Sequence, residues 1–341
     1  MSQPQLRQNV PVLKYKEFKL PNGQLALFSL IVGPDKNLWF TEPRAVGRMT
    51  INGQFARRKL RCRQAEAETL VSGSDGNIWA NTIQLPPPTC HDERGPSYST
   101  FYQIYRLSTD LQLTGFDLPK QAFLFPTNLA PMGSALYFAL EENLESPKGS
   151  ITKTSLFSIS YSGTIKKIFS FPNENLDFLE LLSTPGTRAW LEDYAGGIHD
   201  CSLLGHCKLA ESGYPYALLN GPHPSWMAYS PNDHQVYVSN PNTGCIYKFS
   251  LSDKARGKLC RDEFRSTSDA MVYYHDKIWL AIGPDNQGRP LFASLSSTGK
   301  IAEFALPILG PTYGPTAMVD GPDGHLWYLR GRFIGEILSE I

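Results

Sequence analysis

Neither charge predominates in this 341-residue chain, where 32 Lys and Arg stand against 32 Asp and Glu. No net field favours nucleic acid or an anionic membrane surface, and the local run Arg57, Arg58, Lys59, Arg61 and Arg63 reads as a solvated strand edge. Long apolar runs are missing too. No window approaches the roughly 18 apolar residues of a membrane span, and Met1 to Lys19 lacks the apolar segment of a secretory signal. The expected location is the cytoplasm, or outside the cell by a route that needs no classical signal. Cysteine is scarce: Cys62, Cys90, Cys201, Cys207, Cys245 and Cys260 are all there is, and no two form a C-x-x-C pair. This argues for free thiols in a reducing compartment rather than a disulfide framework. Cys245 and Cys260, which would face each other across one hairpin, are the exception held open.

Charged residues are also few, at 19%, while 26 Pro, 28 Gly and 12% aromatics suit many short strands joined by tight turns. The stretch Tyr313 to Ile341 shows the unit most clearly. A strand leads into the turn Gly321-Pro322-Asp323-Gly324, then comes the triplet Leu326-Trp327-Tyr328, and a further apolar strand starts near Phe333. Such a unit cannot bury its own faces, so repeated copies must stack on one another.

With the aromatic of the triplet as a marker, copies fall at Trp39, Trp79, Tyr137, Trp190, Tyr237, Trp279 and Trp327, spaced 40, 58, 53, 47, 42 and 48 residues apart. That is the range of four-stranded propeller blades with variable loops. The last copy lacks an outer strand. Tyr15 to Leu20 supplies one, because Lys-Glu-Phe-Lys-Leu-Pro there matches Ala-Glu-Phe-Ala-Leu-Pro in the outer strand of copy six. The expectation is an all-β, seven-bladed propeller in one domain, 1–341, closed by the N-terminal strand so that no sheet edge is left open.

The segments Gly-Pro-Asp-Lys-Asn-Leu-Trp-Phe-Thr-Glu (33–42), Val-Gly-Arg-Met-Thr-Ile-Asn-Gly-Gln-Phe (46–55) and Gly-Pro-Asp-Gly-His-Leu-Trp-Tyr (321–328) resemble the repeat of the streptogramin B (virginiamycin B) lyase family. The resemblance implies a seven-bladed propeller that uses a magnesium ion and a histidine to open a cyclic depsipeptide by elimination. It also implies Glu-x-His before the marker of the last blade, a Glu after it, and another His before the marker of the preceding blade. This sequence has Gly314, Thr316, Arg330 and Asp269 at those places.

Each blade of such a ring offers two positions to one face, one about a dozen residues before the marker and one three residues after it. The first holds Glu68, Ser225, Asp269 and Thr316 among others, and the second holds Glu42, Asp193, Asn240 and Arg330. A mix of carboxylates with one Arg favours a polar small molecule, peptide or protein over an apolar ligand. The expected ligand-binding residues are Glu42, Glu68, Asp193, Asn240, Asp269, Arg330 and His223, with no catalytic residue assigned. Glu42, Glu66 and Glu68 are the candidate metal ligands, for magnesium or calcium rather than zinc, since all three offer hard oxygen and no His or Cys stands near. His223, Ser225 and Asp269 have the residue types of a nucleophilic triad, but His223 and Ser225 on one turn need not face each other. The insertions 82–101 and 140–153 are expected as long loops on the same face, where recognition is shaped. The alternative is a diverged metal-dependent lyase or a lactone or ester hydrolase. A monomer is expected in either case.

Overall fold

The computed structural model describes residues 10–21, 28–60, 65–84, 103–119, 126–146, 149–174, 178–185, 188–193, 198–202, 206–211, 227–240, 244–251, 256–261, 264, 267–284, 288–307 and 314–338. These form 28 strands in seven four-stranded antiparallel sheets, with no α-helix among the described residues. The fold is the seven-bladed propeller expected from the repeat, and it divides into two compact units, residues 27–225 and residues 1–26 with 226–341.

The first strand, β1 (Tyr15–Lys19), belongs to the last blade. Blade one holds β2 (Leu30–Val32), β3 (Leu38–Glu42), β4 (Ala45–Met49) and β5 (Phe55–Lys59), and blade two holds β6 (Ala65–Ser72), β7 (Ile78–Gln84), β8 (Gln103–Leu107) and β9 (Leu113–Asp117). Blade three holds β10 (Ala130–Met132), β11 (Ala135–Ser146), β12 (Gly149–Ser160) and β13 (Ile165–Glu174), and blade four holds β14 (Phe178–Thr184), β15 (Arg188–Asp193), β16 (Ile198–Ser202) and β17 (His206–Glu211). The other unit carries blade five, β18 (Met227–Ser230), β19 (Gln235–Asn240), β20 (Cys245–Ser250) and β21 (Arg256–Cys260), and blade six, β22 (Thr267–Tyr274), β23 (Lys277–Ile282), β24 (Leu291–Ser296) and β25 (Ile301–Ala305). Blade seven is β26 (Ala317–Asp320), β27 (Leu326–Arg330) and β28 (Phe333–Ile337), completed by β1.

The turn before each marker explains the Gly-x-Asp-x-Asn signature. In blade one Gly33 N donates to Asn37 O at 2.8 Å and Lys36 N to Gly33 O at 2.9 Å, closing the turn. Asp35 Oδ1 then accepts from Trp39 Nε1 at 2.9 Å, so the turn satisfies the one polar atom of a fully buried indole. A Cβ on Gly33 would lie 2.3 Å from Trp39 Nε1, so only glycine lets the ring lie against the backbone. Blade six has the short turn His275-Asp276 instead, and the buried Trp279 Nε1 has no hydrogen-bond partner among the described residues.

Within each unit these aromatic residues knit one blade to the next. Trp39 of blade one packs with Ile78, Ala80 and Tyr105 of blade two, and Trp279 of blade six packs with Leu326 and Tyr328 of blade seven. Truncating such a side chain costs about 3–5 kcal/mol.

The closing strand stands where expected. Tyr15 to Lys19 pair with Ile337 to Phe333 in continuous register. Just before it the chain is tied to blade six, where Leu13 N donates to Ala305 O at 2.9 Å and Ala305 N to Pro11 O at 2.8 Å.

Two expectations are corrected. Cys201 is joined to Cys207, and Cys245 to Cys260, so four of the six cysteines are not free thiols. The reason lies in register: Cys201 stands opposite Cys207 across β16 and β17, as Cys245 does opposite Cys260 across β20 and β21, which puts each pair of Cβ atoms on one face. Cys62 and Cys90 lie outside the described residues. Residues 140–146 and 149–153 are strand rather than loop: β11 and β12 continue in paired register as far as Ser146 and Gly149. Most of the other insertion, 85–101, lies outside the described residues. No helix of the described residues is long and apolar enough to cross a membrane.

Candidate functional site

In blade one Phe40 lies flat over Gly47 of the neighbouring strand, where an added Cβ would come within 2.3 Å of the ring and 2.8 Å of Glu42 Oε1. The missing side chain leaves a trough along the blade, and Glu42 follows it outward. Its carboxylate is 2% exposed and meets Arg57 of β5 at 3.0 Å. Burial pushes the Glu42 carboxyl above its ordinary range, against the pull of the Arg57 guanidinium.

Blade seven repeats this geometry with the charges exchanged. Tyr328 covers Gly335, where an added Cβ would lie 2.0 Å from the ring. Arg330, 4% exposed, takes the place of Glu42, and Glu17 of β1 takes the place of Arg57. Arg330 Nη2 donates to Glu17 Oε1 at 2.9 Å and Oε2 at 3.0 Å, and Nε donates to Oε1 at 3.2 Å. Tyr328 also donates its hydroxyl to Glu17 Oε1 at 2.9 Å, and burial followed by the Glu17 charge holds that hydroxyl far above the usual phenol range. Blade three has a variant in which Glu142 of β11 accepts from Ser155 Oγ at 2.6 Å and pairs with Lys167 of the outer strand.

Blade two departs from this pattern. Between Ala67 and Leu70 the pairing of β6 with β7 is irregular, and the extra residues are held by side chains. Thr69 donates to Asn81 Oδ1 from its N at 2.8 Å and its Oγ1 at 2.6 Å, and Leu70 N donates to Ser29 Oγ at 3.0 Å. This irregularity presents Glu68. No hydrogen bond or ion pair from a described residue reaches its carboxyl, and burial, with the Glu66 charge second, lifts it to about 7. A carboxyl titrating there exchanges protons at neutral pH.

Asn240 ends β19, is 2% exposed, and accepts from Gly244 N at 3.0 Å. Asp193 closes β15 and Asp269 lies in β22, but their side chains fall outside what is described. His223 and Ser225 also lie outside the described residues. Among the described residues, the group of three or more His, Cys, Asp or Glu whose ligand atoms lie within 4.8 Å of one another is Asp323, His325 and Glu336. Glu42, Glu66 and Glu68 do not form such a group. By sequence alone His325 is an ordinary turn histidine. The missed signal was positional, since His325 and Glu336 replace the Asn37 and Arg48 of blade one.

No protein-family model matches the chain, and no curated protein does. Solved structures do. A streptogramin B lyase aligns at a TM-score of 0.69 and 15% identity over 95% of this chain and 97% of the other. Virginiamycin B lyase from Staphylococcus aureus aligns at 0.66 and 15% identity over 96% and 100%. YCF48 bound to a D1 peptide aligns at 0.60 and 13% identity over the whole of both chains. At such identities the likeness is one of fold: the chain is a seven-bladed propeller similar in structure to streptogramin B lyase.

Proposed function

We propose that this chain is a binding propeller, a lyase-like scaffold that takes a polar small molecule, peptide or protein segment and does not carry out the elimination that the resemblance implies. The observation behind this reading is the fate of Arg330. Where the family has a carboxylate for magnesium, this side chain is itself a cation, buried and taken up by both oxygens of Glu17. Gly314 and Thr316 bring neither imidazole nor carboxylate to the partner positions. Such a set does not fit a divalent cation and has no group for proton transfer. A propeller of similar fold, YCF48 bound to a D1 peptide, supports a peptide or protein ligand over a drug-like substrate. The two disulfides favour an oxidising compartment over the cytoplasm.

The test uses the full chain with quinupristin and magnesium, followed by reversed-phase chromatography, because elimination opens the ring without changing its mass. Quinupristin is expected to stay intact. A linear isomer formed in proportion to protein would overturn the proposal.

One observation favours a second reading, a diverged hydrolase or lyase built on Glu42, Glu66 and Glu68: the Glu68 carboxyl titrates near 7, suited to general acid or base work. Calorimetric titration with magnesium and calcium separates the two. Saturable uptake that Glu68→Gln abolishes would favour the enzyme, and no heat from either ion would remove it.

A further inference from the structure

The turn of blade seven differs from its counterparts in a way that changes its chemistry. In blade one Asp35 Oδ2 accepts from Asn37 Nδ2 at 2.7 Å and from Arg48 Nη1 at 3.4 Å. In blade two Asp75 Oδ2 accepts from Asn77 Nδ2 at 2.8 Å, and Arg106 stands opposite Trp79 as Arg48 stands opposite Trp39. Both outer carboxylate oxygens are thus supplied with amide hydrogen. Blade seven keeps the aspartate and its inner bond, Trp327 Nε1 to Asp323 Oδ1 at 2.9 Å. It replaces the asparagine by His325 and the arginine by Glu336. Two donors have been exchanged for an imidazole and a carboxylate.

The result is a compact set of ligand atoms. His325 Nδ1 lies 2.6 Å from Glu336 Oε1 and 3.7 Å from Asp323 Oδ2, and all three ligand atoms fall within 4.8 Å of one another. His325 is the ion-pair partner of both carboxylates, and no described Lys or Arg pairs with either. Lys16, opposite Glu336 across β1, holds its Nζ over the Phe18 ring at 4.4 Å instead. Nearby, burial raises the Asp320 carboxyl against the pull of His275, with the Asp323 charge a smaller cause. Trp327 orients Asp323 from behind, as outer partners orient metal ligands.

We propose that Asp323, His325 and Glu336 form a binding site for a divalent transition-metal ion of the zinc class. One imidazole nitrogen with two carboxylate oxygens suits such an ion, and solvent fills the remaining coordination positions at this partly exposed turn. The ion ties the turn between β26 and β27 to β28, the strand on which β1 closes the last blade. Its imidazole distinguishes it in chemistry from the Glu42, Glu66 and Glu68 set, which offers only hard oxygen ligands.

Calorimetric titration of the full chain with zinc chloride, after chelator treatment and desalting, tests it. Wild type is expected to take up one zinc per chain. The double variant His325→Asn, Glu336→Arg recreates the blade-one arrangement, so it is expected to fold with unchanged metal-free Tm and to lose at least about tenfold in zinc affinity. Zinc should raise the Tm of wild type and leave the variant unmoved. Absence of saturable uptake by wild type, or equal affinity in the variant, would overturn the site.

Discussion

Arg330 and Glu17 stand 313 residues apart in sequence, yet two oxygens of the one receive the guanidinium of the other at 2.9 and 3.0 Å. The pair is buried, and Glu42 with Arg57 is its mirror image in charge. Breaking a buried ion pair by removing one partner leaves an uncompensated charge and costs about 3–5 kcal/mol. Glu17→Gln is therefore expected to lose about that much stability in urea unfolding. The exchange Glu17→Arg with Arg330→Glu, which copies the polarity of blade one, should recover most of it. An equally large loss in the exchanged variant would show that the trough in blade seven does not tolerate either polarity.

Glu68 makes stability depend on pH in the unusual direction. Its folded carboxyl is raised to about 7, so the folded state holds the proton more tightly than the unfolded chain, whose Glu titrates near 4.3. The stabilisation is fully present below the unfolded value and is lost as pH rises through about 7, on the order of 4 kcal/mol at most. Glu68→Gln is expected to flatten the stability profile between pH 4.5 and 7, as measured by urea melts across that window. An unchanged profile would remove Glu68 as its source.

Reduction should loosen blade five more than blade four. The Cys245 to Cys260 bond closes a loop with a sequence separation of 15, against 6 for Cys201 to Cys207. On the loop-entropy account the longer one contributes about 3 kcal/mol. Paired serine replacement at 245 and 260 is expected to lower Tm by several degrees, more than paired serine replacement at 201 and 207 does.

The acceptor under each indole also has a measurable weight. Asp35→Ala removes the partner of Trp39 Nε1 in a fully buried setting, an expected loss of about 1–3 kcal/mol. Trp279 already lacks such a partner, so His275 and Asp276 can be varied without a comparable change at that indole.

What could be read in the sequence was what repeats. Trp39, Trp79, Trp279 and Trp327, with their turns, gave the blades, and the likeness of Glu17-Phe18 to Glu303-Phe304 gave the closing strand. What could not be read was where the side chains three residues past the markers go. Glu42 and Arg330 run outward because glycines at 47 and 335 leave room and because a counter-charge waits on the outer strand. That counter-charge lies 15 residues away in one case and 313 in the other. Cys201 and Cys207 escaped notice because six residues looked too short to judge without register. His325 looked ordinary until set beside Asn37 and Asn77.

The pairing of β1 with β28 has a consequence for how this protein is made. A ribosome delivers Tyr15 to Lys19 before Phe333 to Ile337, with six blades between them, so β1 is without its partner while those blades are made. Blades one to six can assemble from neighbouring strands as they emerge, but the seventh sheet can close only once β28 has been made. The contacts of Pro11 and Leu13 with Ala305 then serve as a berth. Blade six, made just before blade seven, holds the waiting segment in place until the seventh arrives to take it.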